Sequence, residues 1–327
     1  MHAIIPVAGF GTRLRPHTFT LPKVLLSVAG KPILGHILDR LVQAGVTSTT
    51  IVVGYMGDLV EHFVRTEYPQ LATNFVVQEE LLGLGHSIWV ARKDIPRDGS
   101  PLFIILGDTI FDVDLEAVFR REESALGVKT VEDARRFGVA EVSNGHITRL
   151  VEKPEHPVTN LAVVGLYFFR NPSLLADCLD EIVKKNIRTK NEYQLTDALQ
   201  MMIDRGEQFQ TFTVDAWYDC GKPETLLSTN RHLLQTAELK REIPGTVLLH
   251  PVYIAPDAQI TNCIIGPFAS IGHGAKITNA ILKNCIIGDG AEIEGVLLDN
   301  SIAGNNATIH GAFKRVNTGD SSEIDFD

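Results

Sequence analysis

Short apolar runs alternate with amphipathic helical patterns over roughly the first 240 residues. Runs rich in β-branched residues predict strands at residues 3–7, 49–53, 74–78 and 102–106. Between the first two strands, Ile33, Ile37 and Leu41 form an apolar stripe at helical spacing. This stripe predicts a helix over residues 31–44, with Pro32 in its first turn. Strands that alternate with helices indicate right-handed crossovers and a mostly parallel sheet.

A different kind of strand pairing is indicated further along the chain. Runs at residues 139–142 and 147–151 flank Asn144-Gly145, a dipeptide that favours the tight turn of a β-hairpin. A hairpin in an otherwise parallel sheet makes that sheet mixed. We therefore predict an α/β fold with a Rossmann-like, mixed but mostly parallel sheet.

After about residue 245 the helical spacing disappears and a short repeat replaces it. The sequence Asn-Cys-Ile-Ile-Gly at 262–266 recurs at 284–288 and, as Asn-Ser-Ile-Ala-Gly, at 300–304. In several copies an aliphatic or Ala position is followed four residues later by Ala and six later by Ile. This pattern resembles the hexapeptide repeat of the left-handed parallel β-helix, a narrow triangular solenoid whose corners admit small side chains. The length of the region predicts three or four coils.

The two patterns predict a division into domains. We expect an α/β domain over residues 1–240, a left-handed β-helix over 246–313 and a polar, acidic tail over 314–327.

Composition excludes several classes of partner. Thirty basic against forty acidic residues give a net charge of −10, which disfavours nucleic acid and anionic membranes as partners. The chain has neither an apolar run long enough for a membrane span nor a signal-like first segment, so we expect a cytoplasmic protein. The four cysteines lack the spacing of a zinc site or a disulfide framework.

A glycine-rich loop follows the first predicted strand. Gly9 and Gly11 would let backbone N–H groups approach an anion closely, and Arg13 with Lys23 would add positive charge. The loop lacks the third glycine of a dinucleotide site, and Gly-Lys-Ser/Thr of a P-loop is absent from the sequence. The residues alone leave two interpretations open, a triphosphate or pyrophosphate site and a tight turn with surface cations.

Two aspartates are candidate metal ligands. Asp108 follows the fourth predicted strand, where parallel sheets commonly bind ligands, and Asp219 lies in Trp-Tyr-Asp-Cys-Gly at 217–221. Two carboxylates beside a triphosphate are a usual way to hold Mg²⁺. Either aspartate taken alone is more often a helix cap or a loop residue.

Two further segments carry polar groups with alternative interpretations. Gln78 ends the third strand, before a loop that contains Gly83 and a helix predicted from Ser87. Its carboxamide could pair with a pyrimidine edge or simply end the strand. Glu152 and Lys153 precede Pro154, whose bend could direct both side chains to one site, although an exposed charge pair is the alternative.

Taken together, these motifs resemble a known family. The pattern Gly-x-Gly-Thr-Arg-Leu-x-Pro at 9–16, Pro-Lys at 22–23 and Gly-Lys-Pro at 30–32 is similar to the signature of the nucleotide-sugar pyrophosphorylases, which are sugar-1-phosphate nucleotidyltransferases. Within the family, the chain most resembles the glucose-1-phosphate thymidylyltransferases, with the uridylyltransferases next. The resemblance extends to about residue 235, and related enzymes often carry a left-handed β-helix.

The resemblance implies a role for each candidate residue. It implies that the phosphate loop with Arg13 cradles the β- and γ-phosphates, and that Lys23 assists. Nucleotide-binding positions would be Gly9, Gly11, Thr12, Gln78 and Gly83. Metal ligands would be Asp108 and Asp219. Sugar-pocket positions would be Gly138, Glu152, Lys153, Val163, Gly165 and Tyr167, with Lys153 holding the phosphate of the sugar. Lys190 stands where an Arg often precedes the next helix, which puts that phosphate contact in doubt.

The expected activity is Mg²⁺-dependent transfer of a nucleotidyl group from dTTP or UTP to glucose 1-phosphate, which gives NDP-glucose and pyrophosphate. A mannose-1-phosphate guanylyltransferase is one alternative. A hexapeptide-repeat acyltransferase, with His273 or His310 as base, is another, and a regulatory binding protein is a third. The expected partners are a nucleoside triphosphate, a hexose 1-phosphate and further copies of the chain, with the β-helix as the candidate contact between copies.

Overall fold

The computed structural model describes residues 1–235 and 242–312, together with Ser321. Apart from Ser321, the predicted acidic tail at 314–327 lies outside these residues. The chain divides into two compact units, one of residues 1–27 and 31–229 and the other of residues 28–30 and 230–327. In the described ranges no helix is long and apolar enough to cross a membrane.

The segment of residues 1–235 alternates strands and helices, and it comprises the first unit together with residues 28–30 and 230–235 of the second. Its strands are β1 (His2–Pro6), β2 (Ser27–Val28), β3 (Lys31–Pro32), β4 (Ser48–Val53), β5 (Ala72–Val77), β6 (Leu102–Ile105), β7 (Thr109–Asp112), β8 (Ser124–Thr130), β9 (Gly138–Ser143), β10 (His146–Glu152), β11 (Leu161–Phe169), β12 (Phe209–Thr213) and β13 (Ala216–Asp219). The helices are α1 (Ile33–Gln43), α2 (Gly57–Glu67), α3 (Leu84–Val90), α4 (Leu115–Phe119), α5 (Ser173–Lys184), α6 (Leu195–Asp204) and α7 (Pro223–Gln235).

A nine-stranded sheet runs in the order β10-β9-β11-β6-β1-β4-β5, with β8 joined to β11 and β12 joined to β8. β1 pairs in parallel with β4 and β6, whereas β11 is antiparallel to β6, β8 and β9. The prediction of a mixed α/β sheet is therefore confirmed. Ala3, Ile4 and Ile5 are fully buried in the central strand, as expected for a strand covered on both faces.

The parallel strands bring three loops to one edge of the sheet. Beyond the end of β1, the N–H of Val7 donates to the carbonyl of Val52 in β4 at 2.8 Å. The N–H of Gly107, after β6, donates to the carbonyl of Pro6 at 3.3 Å. These hydrogen bonds hold the loops after β1, β4 and β6 side by side, where open α/β sheets bind their ligands.

The predicted hairpin forms, and two helices begin at other residues than predicted. β9 and β10 pair antiparallel, with Asn144 and Gly145 at φ 50° and 84°, as a two-residue hairpin turn requires. α1 starts at Ile33 because Pro32 is extended, with ψ 146°, and belongs to β3. α3 begins at Leu84, three residues before the predicted Ser87.

The second unit consists of short parallel strands. They are β14 (Val247–Leu248), β15 (Val252–Ile254), β16 (Gln259–Thr261), β17 (Ile264–Ile265), β18 (Ala269–Ile271), β19 (Lys276–Thr278), β20 (Ile281–Lys283), β21 (Ile286–Ile287), β22 (Glu292–Glu294), β23 (Leu297–Asp299), β24 (Ile302–Ala303) and β25 (Thr308–His310). Every third strand pairs, which gives three sheets of four strands among the described residues. These stacked sheets are consistent with the predicted left-handed β-helix.

The interior of the β-helix is a set of aliphatic ladders. Ile260, Ile277 and Ile293 are in register on successive strands, and all three are buried. Alanines at 258, 275 and 291 are buried beside them, as the small position of the repeat predicts. The recurring Asn262, Asn284 and Asn300 adopt φ between 46° and 54°, a conformation that asparagine tolerates better than most residues.

Candidate nucleotide and sugar-phosphate site

The phosphate loop needs glycine at Gly11. Its φ is 61°, and a Cβ there would lie 2.9 Å from the Cβ of Lys23 and 3.1 Å from the Cγ2 of Thr18. The Thr18 hydroxyl donates to the Gly11 carbonyl at 2.9 Å, and Thr12 begins a short 3₁₀ helix directly after it. At Gly9, by contrast, a Cβ would meet nothing within 4 Å, so the backbone is accessible to a ligand there.

A cavity of about 310 Å³ opens beside this loop. Its wall is formed by Pro6, Val7, Ala8, Gly9, Lys23, Val24, Gln78, Leu81, Gly83, Leu84, Ser87, Leu106, Asp108 and Glu192. Five of the sequence-predicted site residues therefore share one cavity. They are Gly9, Lys23, Gln78, Gly83 and Asp108.

Lys23 and Asp108 form an ion pair in the wall of the cavity. The Lys23 side chain is 12% exposed and that of Asp108 is 31% exposed. The Thr109 hydroxyl also donates to Asp108, at 3.3 Å. Burial alone would raise the pKa of the Asp108 carboxyl, but Lys23 and the Thr109 hydrogen bond together hold that pKa below its usual value. Asp108 is therefore an anion at neutral pH.

Asp219 is brought to Asp108 by strand pairing across more than a hundred residues. β7 and β13 are antiparallel with Thr109 opposite Asp219, and the Cys220 N–H donates to the Asp108 carbonyl at 3.0 Å. At Gly221 a Cβ would lie 2.5 Å from Nη2 of Arg13 and 2.8 Å from Oδ1 of Asp219. Only glycine leaves room for the guanidinium and the carboxylate side by side.

These carboxylates suit a hard divalent cation. Residues 1–235 and 242–312 contain no cluster of three or more metal-binding His, Cys, Asp or Glu side chains, so a cation here would have few protein ligands. Mg²⁺ commonly takes one or two carboxylates and keeps its other ligands as water or phosphate oxygens. Asp108 and Asp219 fit that requirement, and a zinc-type cage is not formed by these residues.

Gln78 is fixed by a neighbour that the sequence analysis left without a role. Gln78 is buried at the end of β5, and its Nε2 lies 3.0 Å from Nδ1 of His86 and 3.4 Å from the Gly83 carbonyl. His86 is stacked between Trp89 and Tyr193, with ring centroids 5.5 and 6.1 Å away. Burial lowers the pKa of His86, so the imidazole is neutral at pH 7.

A second group of predicted residues surrounds Glu152. This side chain is 10% exposed and accepts a hydrogen bond from the Thr196 hydroxyl at 2.7 Å. A Cβ at Gly138 would lie 3.2 Å from both the Glu152 carboxylate and the Thr196 hydroxyl. Lys153 has φ 45°, and its Nζ lies 3.3 Å from Glu152 Oε1. The bend predicted beside Pro154 therefore occurs at Lys153, and the adjacent side chains meet.

β11 contributes the remaining predicted positions. Gly165 has φ 83°, and a Cβ there would lie 2.5 Å from Leu106 in the cavity wall. Tyr167 is buried, and burial together with the nearby Glu152 charge raises the pKa of its phenol. Val163 is partly buried on the same strand, before a register shift between Val163 and Tyr167.

Two further polar groups beside these residues had no role assigned from the sequence. Oδ2 of Asp197 and Nε1 of Trp217 are buried without a hydrogen-bond partner among the described residues. Trp217 packs edge-on against Phe137, next to Gly138, and burial raises the pKa of Asp197, with a further contribution from Glu152. An unpaired buried polar group typically costs ~1–3 kcal/mol, which a ligand could recover. Trp217 lies only two residues from Asp219, and that proximity was the one available signal.

Comparison with known proteins identifies the family. The family model described as nucleotidyl transferase matches residues 2–236. The chain belongs to the nucleotidyl transferase family. The family predicted from the glycine-loop and lysine motifs is therefore confirmed, and the chain is an enzyme of the nucleotidyltransferase type.

This nucleotidyl transferase is similar to several characterised proteins. It is 34% identical over 233 residues to a UTP–glucose-1-phosphate uridylyltransferase of Haloferax volcanii, covering 68% of this chain and 93% of the relative. It is 30% identical over 319 residues to a glucose-1-phosphate thymidylyltransferase of Streptomyces antibioticus, covering 88% and 87%. A solved UDP-glucose pyrophosphorylase complexed with UDP-glucose matches with a TM-score of 0.61 at 26% identity, covering 72% of this chain and 99% of that one.

Proposed function

We propose that this protein is a sugar-1-phosphate nucleotidyltransferase that uses a pyrimidine nucleoside triphosphate, dTTP or UTP, and glucose 1-phosphate. One observation carries the proposal. Two cations, Arg13 and Lys23, and two carboxylates, Asp108 and Asp219, converge beside a cavity that also contains Gln78. A site that combines fixed cations with metal-binding carboxylates suits a substrate with several phosphate groups.

The proposed reaction is a single displacement at phosphorus. A phosphate oxygen of the sugar 1-phosphate forms a bond to the α-phosphorus of the triphosphate. The bond between that phosphorus and the oxygen bridging to the β-phosphate breaks, and pyrophosphate leaves with the electron pair. The attacking oxygen is already ionised at neutral pH, so the enzyme needs no general base. Its contribution is to align two anions and to neutralise their charge.

The phosphate-binding side of the site is proposed to consist of the glycine-rich loop, the two cations and the two aspartates. The accessible backbone at Gly9 and the turn at Gly11 and Thr12 would receive the β- and γ-phosphates. Arg13 and Lys23 would stabilise the departing pyrophosphate. Asp108 and Asp219 would hold Mg²⁺, which when bound neutralises phosphate charge. Lys23 would exchange its contact with Asp108 for the phosphate.

The sugar side is proposed to lie around Glu152. Its carboxylate would accept hydrogen bonds from sugar hydroxyls, with Thr196 holding it in place at 2.7 Å. Lys153 would orient the attacking phosphate, which its position beside Glu152 supports. The glycines at 138 and 165 leave space that a side chain would fill, and Val163 and Tyr167 would line the ring. Gln78 and Gly83 would contact the nucleobase.

A homo-oligomer through the β-helix is also part of the proposal, and one surface supports it. Val247, Ile264, Ile281 and Leu297 are in register on four paired strands, and each side chain is exposed, Leu297 by 70%. We call these four residues the apolar ladder. Exposed apolar surface of this kind commonly marks a protein contact.

Leu297→Glu should give a smaller species than the wild-type protein by light scattering, whereas Gln259→Glu, on a polar strand, should not. Equal masses for all three proteins would contradict the proposed contact.

The cytoplasm remains the proposed compartment. The four cysteines of the chain, Cys178, Cys220, Cys263 and Cys285, are unpaired thiols in the structure, which is typical of proteins in a reducing compartment.

The test is pyrophosphate release measured across a grid of nucleoside triphosphates and sugar 1-phosphates, with and without Mg²⁺. We expect turnover with UTP or dTTP and glucose 1-phosphate, and loss of it when the metal is chelated. GTP with mannose 1-phosphate is the control pair for the guanylyltransferase alternative. Acetyl-CoA with an amino sugar is the control pair for the acyltransferase alternative. The proposal is wrong if every nucleotide and sugar pair is inert under conditions in which the protein is folded.

A further inference from the structure

The carboxamide of Gln78 is held in one of its two possible orientations. The Gly83 atom in contact with the amide is its carbonyl oxygen, which can only accept, so the nitrogen end of the amide faces it at 3.4 Å. The same Nε2 lies 3.0 Å from His86 Nδ1. Two hydrogens on one nitrogen can serve both contacts. Among the described residues neither contact involves Oε1, which is the end of the amide left for a ligand.

His86 determines that orientation only if Nδ1 is an acceptor. The imidazole also has a backbone hydrogen bond with Glu80 that favours its protonated form, as a bond to a carbonyl does. Gln78 Nε2 can only donate, so its 3.0 Å contact requires Nδ1 to be the acceptor, and the single proton of the neutral ring is then on Nε2. Stacking between Trp89 and Tyr193 keeps the ring in place. The groups around His86 are therefore Gln78, Glu80 and two aromatic rings, with the Arg188 charge beyond Tyr193.

We propose that His86 is a positioning residue that holds Gln78 with Oε1 toward the nucleobase, so that the site selects bases with a ring N–H. The inference rests on the proposed function and makes its base preference more specific. Uracil and thymine carry N3–H, which donates to Oε1, and guanine carries an equivalent N1–H. Cytosine and adenine have a lone pair at that position, which would face the Oε1 lone pairs. An amide that rotates freely could pair with both classes of base. An anchored amide pairs only with bases that carry the ring N–H and disfavours cytosine and adenine.

The experiment compares His86→Phe with Trp89→Phe in the full chain. Phenylalanine at 86 keeps an aromatic ring between Trp89 and Tyr193 but removes the acceptor. Phenylalanine at 89 alters the stack but leaves both imidazole nitrogens. kcat/KM is measured for UTP and CTP with glucose 1-phosphate and Mg²⁺. We expect the preference for UTP over CTP to fall about tenfold to a hundredfold in H86F, mainly through KM, because one mispaired hydrogen bond is worth ~1–3 kcal/mol. In W89F the preference should stay at the wild-type value.

Two results would overturn the inference while leaving the proposed function intact. One is an unchanged UTP to CTP ratio in an active H86F enzyme, and the other is the same change of ratio in W89F. A wild-type enzyme inactive with every nucleotide removes the proposed function instead. If H86F does not fold, kcat/KM of the wild-type enzyme is measured for UTP and for its N3-methyl analogue, and the two values are compared. The inference expects at least about a tenfold loss of kcat/KM for the analogue, and an equal value overturns it.

Discussion

The two units bury different kinds of side chain. The α/β unit gathers charged and polar side chains at one edge of its sheet, where Lys23, Asp108 and Glu152 are each at least two-thirds buried. The β-helix buries aliphatic ladders, and its ion pairs, such as Lys276 with Glu292, lie on its outer faces. Buried charges and unpaired polar atoms reduce stability unless a ligand completes them, whereas stacked aliphatic rungs contribute to stability directly.

This difference separates function from stability along the chain. Substitutions at the sheet edge should change turnover more than they change folding, because the groups there serve a ligand that is absent from the unbound protein. Substitutions inside the β-helix should do the reverse, because each interior residue packs against the rungs above and below it.

The strongest test of this separation is to remove charge from the sheet edge. Lys23→Ala and Asp108→Asn should each lower kcat about a hundredfold to a thousandfold, the usual loss when a charge-stabilising group is removed. Each variant leaves its partner without the ion pair and should lose some stability, but it should remain folded at the assay temperature, as thermal unfolding would show. Lys185→Ala, at an exposed helix end, is the matched control and should keep wild-type kcat. Near-normal turnover in both site variants would show that this cluster does not carry the chemistry.

The opposite test is made inside the β-helix. Ile277 is fully buried between Ile260 and Ile293, so Ile277→Ala leaves a cavity and should reduce the free energy of unfolding by ~2–5 kcal/mol. Turnover at a temperature where the variant is folded should stay at the wild-type value. Urea unfolding and pyrophosphate release measure the two effects. Gln259→Ala, at an exposed position on the neighbouring strand β16, is the control. A loss of kcat in Ile277→Ala without a loss of stability would contradict the separation of function from stability between the two units.

A smaller effect should distinguish the sugar side from the phosphate side. Glu152→Gln keeps the shape of the side chain but weakens its hydrogen bonds to hydroxyl groups, so KM for glucose 1-phosphate should rise about tenfold. KM for the nucleotide should remain unchanged. Glu155→Gln, whose side chain is 81% exposed, is the matched control. An equal rise of both KM values would mean that Glu152 does not act on the sugar alone.

Local patterns predicted much of the fold. Alternation of apolar runs and helical stripes was enough to predict the mixed sheet, and Asn144-Gly145 was enough to predict the hairpin, because both depend on neighbouring residues. The hexapeptide repeat predicted the stacked parallel sheets for the same reason, since each rung repeats the same local requirement. Helix starts were less well predicted. Pro32 is compatible with the first turn of a helix and with an extended strand, and the structure contains the second.

The site depended on contacts that sequence spacing does not encode. The juxtaposition of Asp108 with Asp219 follows from the pairing of β7 with β13, and without the family resemblance each aspartate could have been a cap. The pairing of Gln78 with His86 joins a strand end to a helix, and its 3.0 Å distance depends on where α3 begins. That helix begins three residues earlier than predicted, and with the predicted start no pattern connects the two side chains.

The smallest predicted effect concerns the same histidine and the pH dependence of stability. Burial lowers the pKa of His86 in the folded protein, whereas the unfolded chain exposes an imidazole with a pKa of ~6.5. As the pH falls below that value, the unfolded state binds a proton before the folded state does. Stability should therefore fall with decreasing pH, until the pH passes below the folded-state pKa, and it should be independent of this group above neutrality.

Urea unfolding of wild type and H86F between pH 7.5 and 5 measures this contribution. His2 and His17 also have pKa values lowered by burial, so H86F should retain part of the slope and lose the share of His86. W89F keeps the imidazole and should retain the full slope. If H86F and wild type lose stability in parallel, His86 is not held neutral by the fold. The sheet edge and the β-helix would then differ in packing and charge, but the imidazole would no longer be part of that difference.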